Sequence, residues 1–220
     1  HLEGASIAEG SVIRPNAVIV GPVSIGSDCV VHEQSILRGP LALGPVCKVG
    51  GEVQGCIFQA FANKGHAGFL GDSYVGEWAN LGAGTDNSNL LNTYSHIAAR
   101  ALPEREPEPT GERFLGAMIG DHSKIGIGSR LMTGAVIHLG CMFATADPIT
   151  GCVPPFTWHS DAGRSLHRFD KFLETAGNVM TRRDVEPSAA YIERLRSLHA
   201  DAESLHDRLA NRSSPIATTT

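Results

Sequence analysis

Large rings are scarce in this sequence: Phe, Tyr and Trp together make up 6% of it. An interior built on aromatic packing is therefore excluded, and the core must be aliphatic. No apolar run approaches the roughly 20 residues needed to cross a bilayer. No secretory leader precedes the opening His1-Leu2-Glu3-Gly4, so neither a membrane partner nor an extracellular setting is expected, and the expected location is cytoplasmic. Neither sign of charge dominates: 18 Lys and Arg stand against 23 Asp and Glu, for a net charge of −5. That balance argues against a nucleic-acid partner. The 5 cysteines include no C-x₂-C spacing, so no metal site is expected from them. A starting methionine is also lacking. The chain opens inside a repeat, as a fragment or cloned domain of a longer protein would.

What is abundant is glycine, with 25 residues, and a period of six. Counting every sixth residue from Ile7 gives Ile13, Ile19, Ile25, Val31, Leu37, Leu43 and Val49. After a two-residue slip the series resumes as Ile57, Asn63, Phe69, Val75 and Leu81. After a longer break it returns as Ile119, Ile125, Leu131, Ile137 and Phe143. Only Asn63 is not apolar. Two residues before each member lies a mostly small residue, among them Ala5, Ser11, Ala17, Cys29, Ser35, Cys47, Ser73, Ala79, Ser123, Ala135 and Cys141. Six matches neither the 3.6-residue α-helical period nor the roughly 33–47 residues of helical solenoids, but it is even, as strands require. The pattern predicts an all-β solenoid, a left-handed parallel β-helix over 1–147, with three hexapeptides per triangular coil. Cys29 and Cys47 fall in the small-residue ladder one coil apart and read as packing thiols.

Residues 84–113 break the period. Asn92–Leu102 reads as a strand and the proline-rich, charged 103–111 as a turn, together an inserted loop or arm between coils. Such projections carry function or subunit contacts, or are solvated insertions. Prolines 148, 154 and 155 mark a linker over 148–164. Helical stripes follow over 165–182 (Leu166, Phe169, Leu173, Ala176, Met180) and 188–210 (Tyr191, Leu195, Leu198, Leu205, Leu209), with the C-terminal helices assigned to 165–212. The threonine-rich 213–220 is expected to be disordered.

The stretch from Lys64 to Thr85, KGHAGFLGDSYVGEWANLGAGT, followed by Asn87-Ser-Asn89, resembles the acetyltransferase half of the bacterial bifunctional glucosamine-1-phosphate acetyltransferase/N-acetylglucosamine-1-phosphate uridyltransferase. Further along, the segments at 87–94, 119–128, 154–158 and 180–183 (Met-Thr-Arg-Arg) resemble the β-helices of a family of sugar nucleotidyltransferases. The resemblance implies that His66 is the catalytic base, a role suited to an imidazole, and that Asn80 orients it and contacts the sugar. It implies Asn89 as a second sugar contact and Arg38 as a phosphate contact. Ala83 and Ala144 fall where small residues line a groove for acetyl-CoA, the implied acyl donor. A homotrimer with the site between subunits is implied as well, and a closed cyclic assembly suits such prisms.

Three positions depart from the family. Gln54 stands where the sugar-phosphate lysine belongs, Phe69 where a tyrosine does, and Asn63 where the motif lysine does, with Lys64 one place late. Lys64, Phe69 and Gln54 nevertheless stand as substrate-binding candidates. Gln supplies no cation and Phe no hydroxyl. His66 also fits a polar corner residue, and Asn80 and Asn89 fit turn positions. The retained His66, Asn80 and Asn89 favour an acetyl-CoA-dependent acyltransferase acting on an amino-sugar phosphate or nucleotide-sugar. The departures favour a non-catalytic trimerisation or regulatory domain of a sugar-1-phosphate nucleotidyltransferase whose upstream domain is absent here. A γ-type carbonic anhydrase would need histidine spacing that His66, His96 and His122 lack.

Overall fold

The computed structural model describes residues 2–213, so most of the threonine-rich end lies outside the described residues. The chain is an all-β left-handed parallel solenoid of hexapeptide repeats with a C-terminal helical region. Its short strands stack coil on coil into an 11-stranded sheet and a 9-stranded sheet. The larger sheet bends round a corner of the prism within the long strand Val18–Ile25, which pairs with Ile36–Arg38 on one face and with Leu41–Leu43 on the next. Three interior columns result, one per face, and burying them is the main hydrophobic contribution.

Of the first eight aliphatic positions of the sixfold count, Ile19, Ile25, Val31, Leu37, Leu43 and Val49 are buried and Ile13 packs against them, while Ile7 is exposed. The register after Val49 is a correction. Ile57 is 51% exposed, while Phe58, Lys64 and Leu70 take the interior places expected for Ile57, Asn63 and Phe69. Chain pairing shows why. The strand Glu52–Gln54 resumes directly after the corner at Gly50-Gly51, so Leu37 faces Val53 and Val49 faces Lys64. Those coils are shorter than three full hexapeptides, and with side chains alternating, a one-residue shift exchanges inside for outside.

Two further segments differ from expectation. Part of the stretch read as a linker instead adds rungs: Cys152–Val153 pairs with Val136–Ile137, and Thr157–Ser160 with Met142–Ala144. Gly163–Leu166, of which 163–164 were expected in the linker and 165–166 at the start of the first helix, returns antiparallel on Thr157–Ser160. The prolines fall at a corner between strands, where no ladder N–H is required. Within 84–113, Asp86–Asn87 remains a rung paired with Arg130–Leu131. The excursion beyond it is closed at its base by the antiparallel bridge between Leu90 and Phe114 and holds the two-residue ribbon Ala98–Ala99 against Glu108–Pro109, and its Glu104 pairs with Arg208 of the chain's own second helix at 3.0 Å.

One corner of the prism departs from the usual chemistry of corners. Val46, Phe61, Trp78 and His122 occupy it in successive coils, and Phe156 follows after one coil with Gly140 at the corner, at φ of 61°, 60°, 60°, 58° and 53° for the five bulky residues. Bulky residues rarely adopt this left-handed conformation. Here stacking offsets the strain: the Phe61 and Trp78 rings lie parallel at 3.9 Å, and His122 stacks on Trp78 at 6.3 Å. The first helix, α1 (Phe169–Thr181), lies along this aromatic corner. Phe172 meets Phe156 edge-on at 4.9 Å and His122 at 5.7 Å, and Arg183, just past the helix, reaches the Val46 carbonyl at 3.2 Å. The second helix, α2 (Ala189–Ser213), adds Leu195 and Ala202 to the same small core.

His122 joins tail to prism. Its Nε2 is 2.6 Å from the Tyr191 hydroxyl, while its buried Nδ1 has no partner. Burial, with the nearby Lys124 charge, pushes its pKa down to about 3. In the unfolded chain the imidazole protonates near 6.5, so below that pH the unfolded state binds more protons and stability is lost as pH falls towards 3. A His122→Asn variant, whose side chain tolerates the positive φ, is expected to be less stable than wild type at pH 7. The gap should close by about 2–3 kcal/mol at pH 4.5. Denaturant melts at the two pH values check this, and an unchanged gap would remove His122 from the acid sensitivity.

Candidate functional site

Outward-facing residues beside one interior column form a polar ladder. Lys48, Asn63, Asn80 and Lys124 are register partners in successive coils, with adjacent rungs about 4.8 Å apart. This ladder floors a cavity of about 430 Å³. His32 and His66 stand on one side of it, the Phe61–Trp78 stack on the other, and Val179, Arg182 and Arg183 cover it from the end of α1. All of these walls come from one chain. The floor is close-fitting at Gly65: a Cβ there would sit 3.4 Å from His32 Nε2 and 3.3 Å from Asn63 Oδ1.

His66 and Asn80 are thus brought together. His66 is exposed on the corner between Asn63–Lys64 and Phe69–Gly71. Asn80 Oδ1 accepts a bond from Asn63 Nδ2 at 2.6 Å, which fixes its amide along the floor. Lys64 is a correction. It is 1% exposed, inside the prism between Val49 and Leu81. Its ammonium donates to the carbonyls of Gly50 (3.0 Å), His66 (3.0 Å) and Gly68 (2.7 Å). All three of its protons are engaged, so it holds the His66 loop from beneath and has no donor left for a substrate. Burial pulls its pKa down to about 8, with Asp86 acting in the opposite direction.

Arg38, Gln54, Phe69 and Asn89 lie on the neighbouring face, away from the cavity. Arg38 and Gln54 are register partners, and Gln54 in turn faces Gly71. Phe69 and Asn89 crowd over Gly71, where a Cβ would meet each of them at 2.7 Å. Arg38 is tied to Glu52 in an ion pair and Asn89 donates to Asp72 Oδ2 at 2.5 Å. Ala83 and Ala144 fall on the same corner as His66, in later coils: Gly84 N donates to the Ala67 carbonyl at 3.0 Å. The Ala83 carbonyl accepts from Gly128 N at 2.8 Å, and Ala144 is exposed opposite Ser160.

The cavity is electropositive. Four cations line it, Lys48, Lys124, Arg182 and Arg183, and no carboxylate does. The Lys48 pKa is lowered first by the Arg183 charge and then by burial and Arg182. That of Arg183 is lowered by burial and Arg182. Burial, then the Arg14 charge, also lowers the His32 pKa, favouring a neutral ring. Lys124 is the sunken member: its ammonium donates to the Trp78 and His122 carbonyls at 2.7 and 3.0 Å, and burial lowers its pKa to about 8. The covering arginines belong to the Met-Thr-Arg-Arg segment. The sequence resemblance attaches no role to that segment.

Residues 4–39 match the family model described as bacterial transferase hexapeptide (six repeats). The chain is a hexapeptide-repeat left-handed β-helix similar to part of GlmU-like bifunctional proteins. It is 27% identical over 135 residues to the bifunctional protein GlmU of Paracoccus denitrificans (strain Pd 1222), covering 61% of this chain and 25% of that protein. To the bifunctional protein GlmU of Jannaschia sp. (strain CCS1) it is 27% identical over 156 residues, covering 70% and 26%. The match thus spans about a quarter of the length of these relatives. Among solved structures, the acetyltransferase domain of PglB from Neisseria gonorrhoeae FA1090 overlaps 71% of this chain and 57% of that chain, with 15% identity and a TM-score of 0.36. Among its described residues, the β-helix chain has no helix long and apolar enough to cross a membrane.

Proposed function

We propose that the β-helix transfers an acetyl group from acetyl-CoA to the amino group of a sugar phosphate or nucleotide-sugar, with His66 as the base. The observation that carries this reading is the convergence of His66 and Asn80 on one solvent-open, cation-lined cavity. The acceptor nitrogen attacks the thioester carbonyl carbon. A C–N bond forms, the C–S bond breaks, sulfur leaves as the CoA thiolate, and His66 takes the ammonium proton. The Asn80 side chain and corner amides are the dipoles available to the transient oxyanion. The pantetheine arm is assigned to the corner of Ala83 and Ala144, and the working assembly to a homotrimer in the cytoplasm.

Calorimetry with acetyl-CoA tests the donor half of this reading. Wild type is expected to bind in the micromolar range, and Ala144→Trp, which fills the exposed strip beside Ser160, is expected to weaken binding at least tenfold. Absence of binding at millimolar acetyl-CoA would reject it. The second reading, a non-catalytic trimerising domain of a nucleotidyltransferase, is favoured by the neighbouring face. There Gln54 offers no charge and Arg38 is neutralised by Glu52, so the place where the resemblance puts the sugar phosphate has no free cation.

A further inference from the structure

We infer that Lys48, Arg182 and Arg183 form a phosphate-binding subsite, built when the end of α1 folds back over the polar ladder, and that it takes the phosphate of a phosphorylated ligand. Three observations carry this. First, the cations are unspent. Among the described residues, neither Lys48 nor Arg182 has a side-chain hydrogen bond or ion pair, and no carboxylate pairs with Arg183. Arg183 gives one Nη1 bond to the Val46 carbonyl at 3.2 Å, which anchors its guanidinium and leaves its other donors free. Glu33, beside His32, is 60% exposed and shared between Arg14 and His32 at 3.9 Å each.

Second, the charges oppose one another. The Arg183 charge is the leading cause that lowers the Lys48 pKa. Like charges held together by packing destabilise the empty site, and a dianion placed among them relieves that repulsion. Third, the cations reach the cavity from two directions. Lys48 rises from the sheet, and the arginines come down from the helix terminus. A tetrahedral phosphate accepts from several directions at once, and guanidinium forks suit it. A carboxylate is planar and would leave one side unmatched.

As the acceptor's phosphate subsite this inference rests on the acyl-transfer reading; as an anion site it does not. The site also supplies the cation that Gln54 lacks, from a segment far away in the sequence. Trp78, stacked in the cavity wall, is a built-in reporter. The chain has 2 tryptophans, so a Trp158→Phe background isolates it. Inorganic phosphate, titrated at constant ionic strength with chloride, is expected to give a saturable change in its fluorescence. Arg183→Gln and Lys48→Gln should each weaken the apparent affinity at least tenfold, whereas Arg113→Gln, on the exposed excursion, should not. Lys48→Gln breaks no bond and so is expected to fold even if Arg183→Gln does not. No saturable response, or equal affinity in the Lys48 variant, overturns the subsite. Phosphate binding that follows this pattern, in a protein that transfers no acetyl group, would uphold the subsite and reject only the acyl-transfer reading.

Discussion

Acetyl transfer by a His66→Gln variant is expected to fall by about 10²–10⁴, the range for removing a general base. Acetyl-CoA affinity and thermal stability should stay near wild type. The reason is where the ring sits: it is exposed on its corner, and the local backbone is held by Lys64 and not by the imidazole. A variant within about threefold of wild type, less than 1 kcal/mol in the barrier, would exclude His66 as the base and shift attention to His32 across the cavity.

Replacing Lys64 with alanine is expected to destabilise the fold by about 4 kcal/mol or more, through two separable losses. The four-carbon stem fills the interior column between Val49 and Leu81, and deleting a side chain of that length from a core costs about 2–5 kcal/mol. The ammonium serves three carbonyls. Gly68 O keeps a second donor, Glu52 N at 3.2 Å, but no other donor to Gly50 O or His66 O is observed, and each orphaned group costs about 1–3 kcal/mol. Lys64→Met restores the stem without the ammonium. It removes the desolvation of a charge as well, so it should recover about half of the loss. Denaturant melts of the three proteins separate the terms. A methionine variant as stable as wild type would show that the carbonyl cradle contributes nothing. The pH dependence is a second readout: Lys64 titrates near 8 when folded and near 10.5 when unfolded. Between those values the unfolded state holds more protons, so wild type should gain stability over Lys64→Met as pH rises.

How much of this was legible depended on which residue types carried the signal. Aliphatic spacing placed the early interior columns because the coils there keep three full hexapeptides, as in the pairing of Val31 with Val49. It failed at Ile57-Phe58, where two adjacent apolar residues left the register open. The shortening is encoded in the tight Gly50-Gly51 corner, which periodicity does not measure. Lys64 was misread for the same reason: a lysine in an interior column looks like a surface residue until three carbonyls are found around it. The His66–Asn80 pairing was legible through a local motif whose parts lie one coil apart. Arg182 and Arg183 were not, because their place depends on α1 running back along the prism. Nor was the aromatic corner, since Val, Phe and Trp are poor guesses for left-handed backbone.

The return path of α1 ties two lengths together. Its 13 residues extend about 20 Å, close to the roughly 19 Å that four coil spacings occupy, from the Val49 level to that of Phe143. The helix is in effect a ruler laid against the stack. Inserting one whole coil between those levels would leave the repeat intact yet carry the arginines about 4.8 Å short of Lys48. About three extra helical residues, at 1.5 Å each, would restore the reach, although they would also turn the arginines most of the way round the helix. Relatives that gain or lose coils in this region can therefore keep the cavity roofed only by changing both lengths in step.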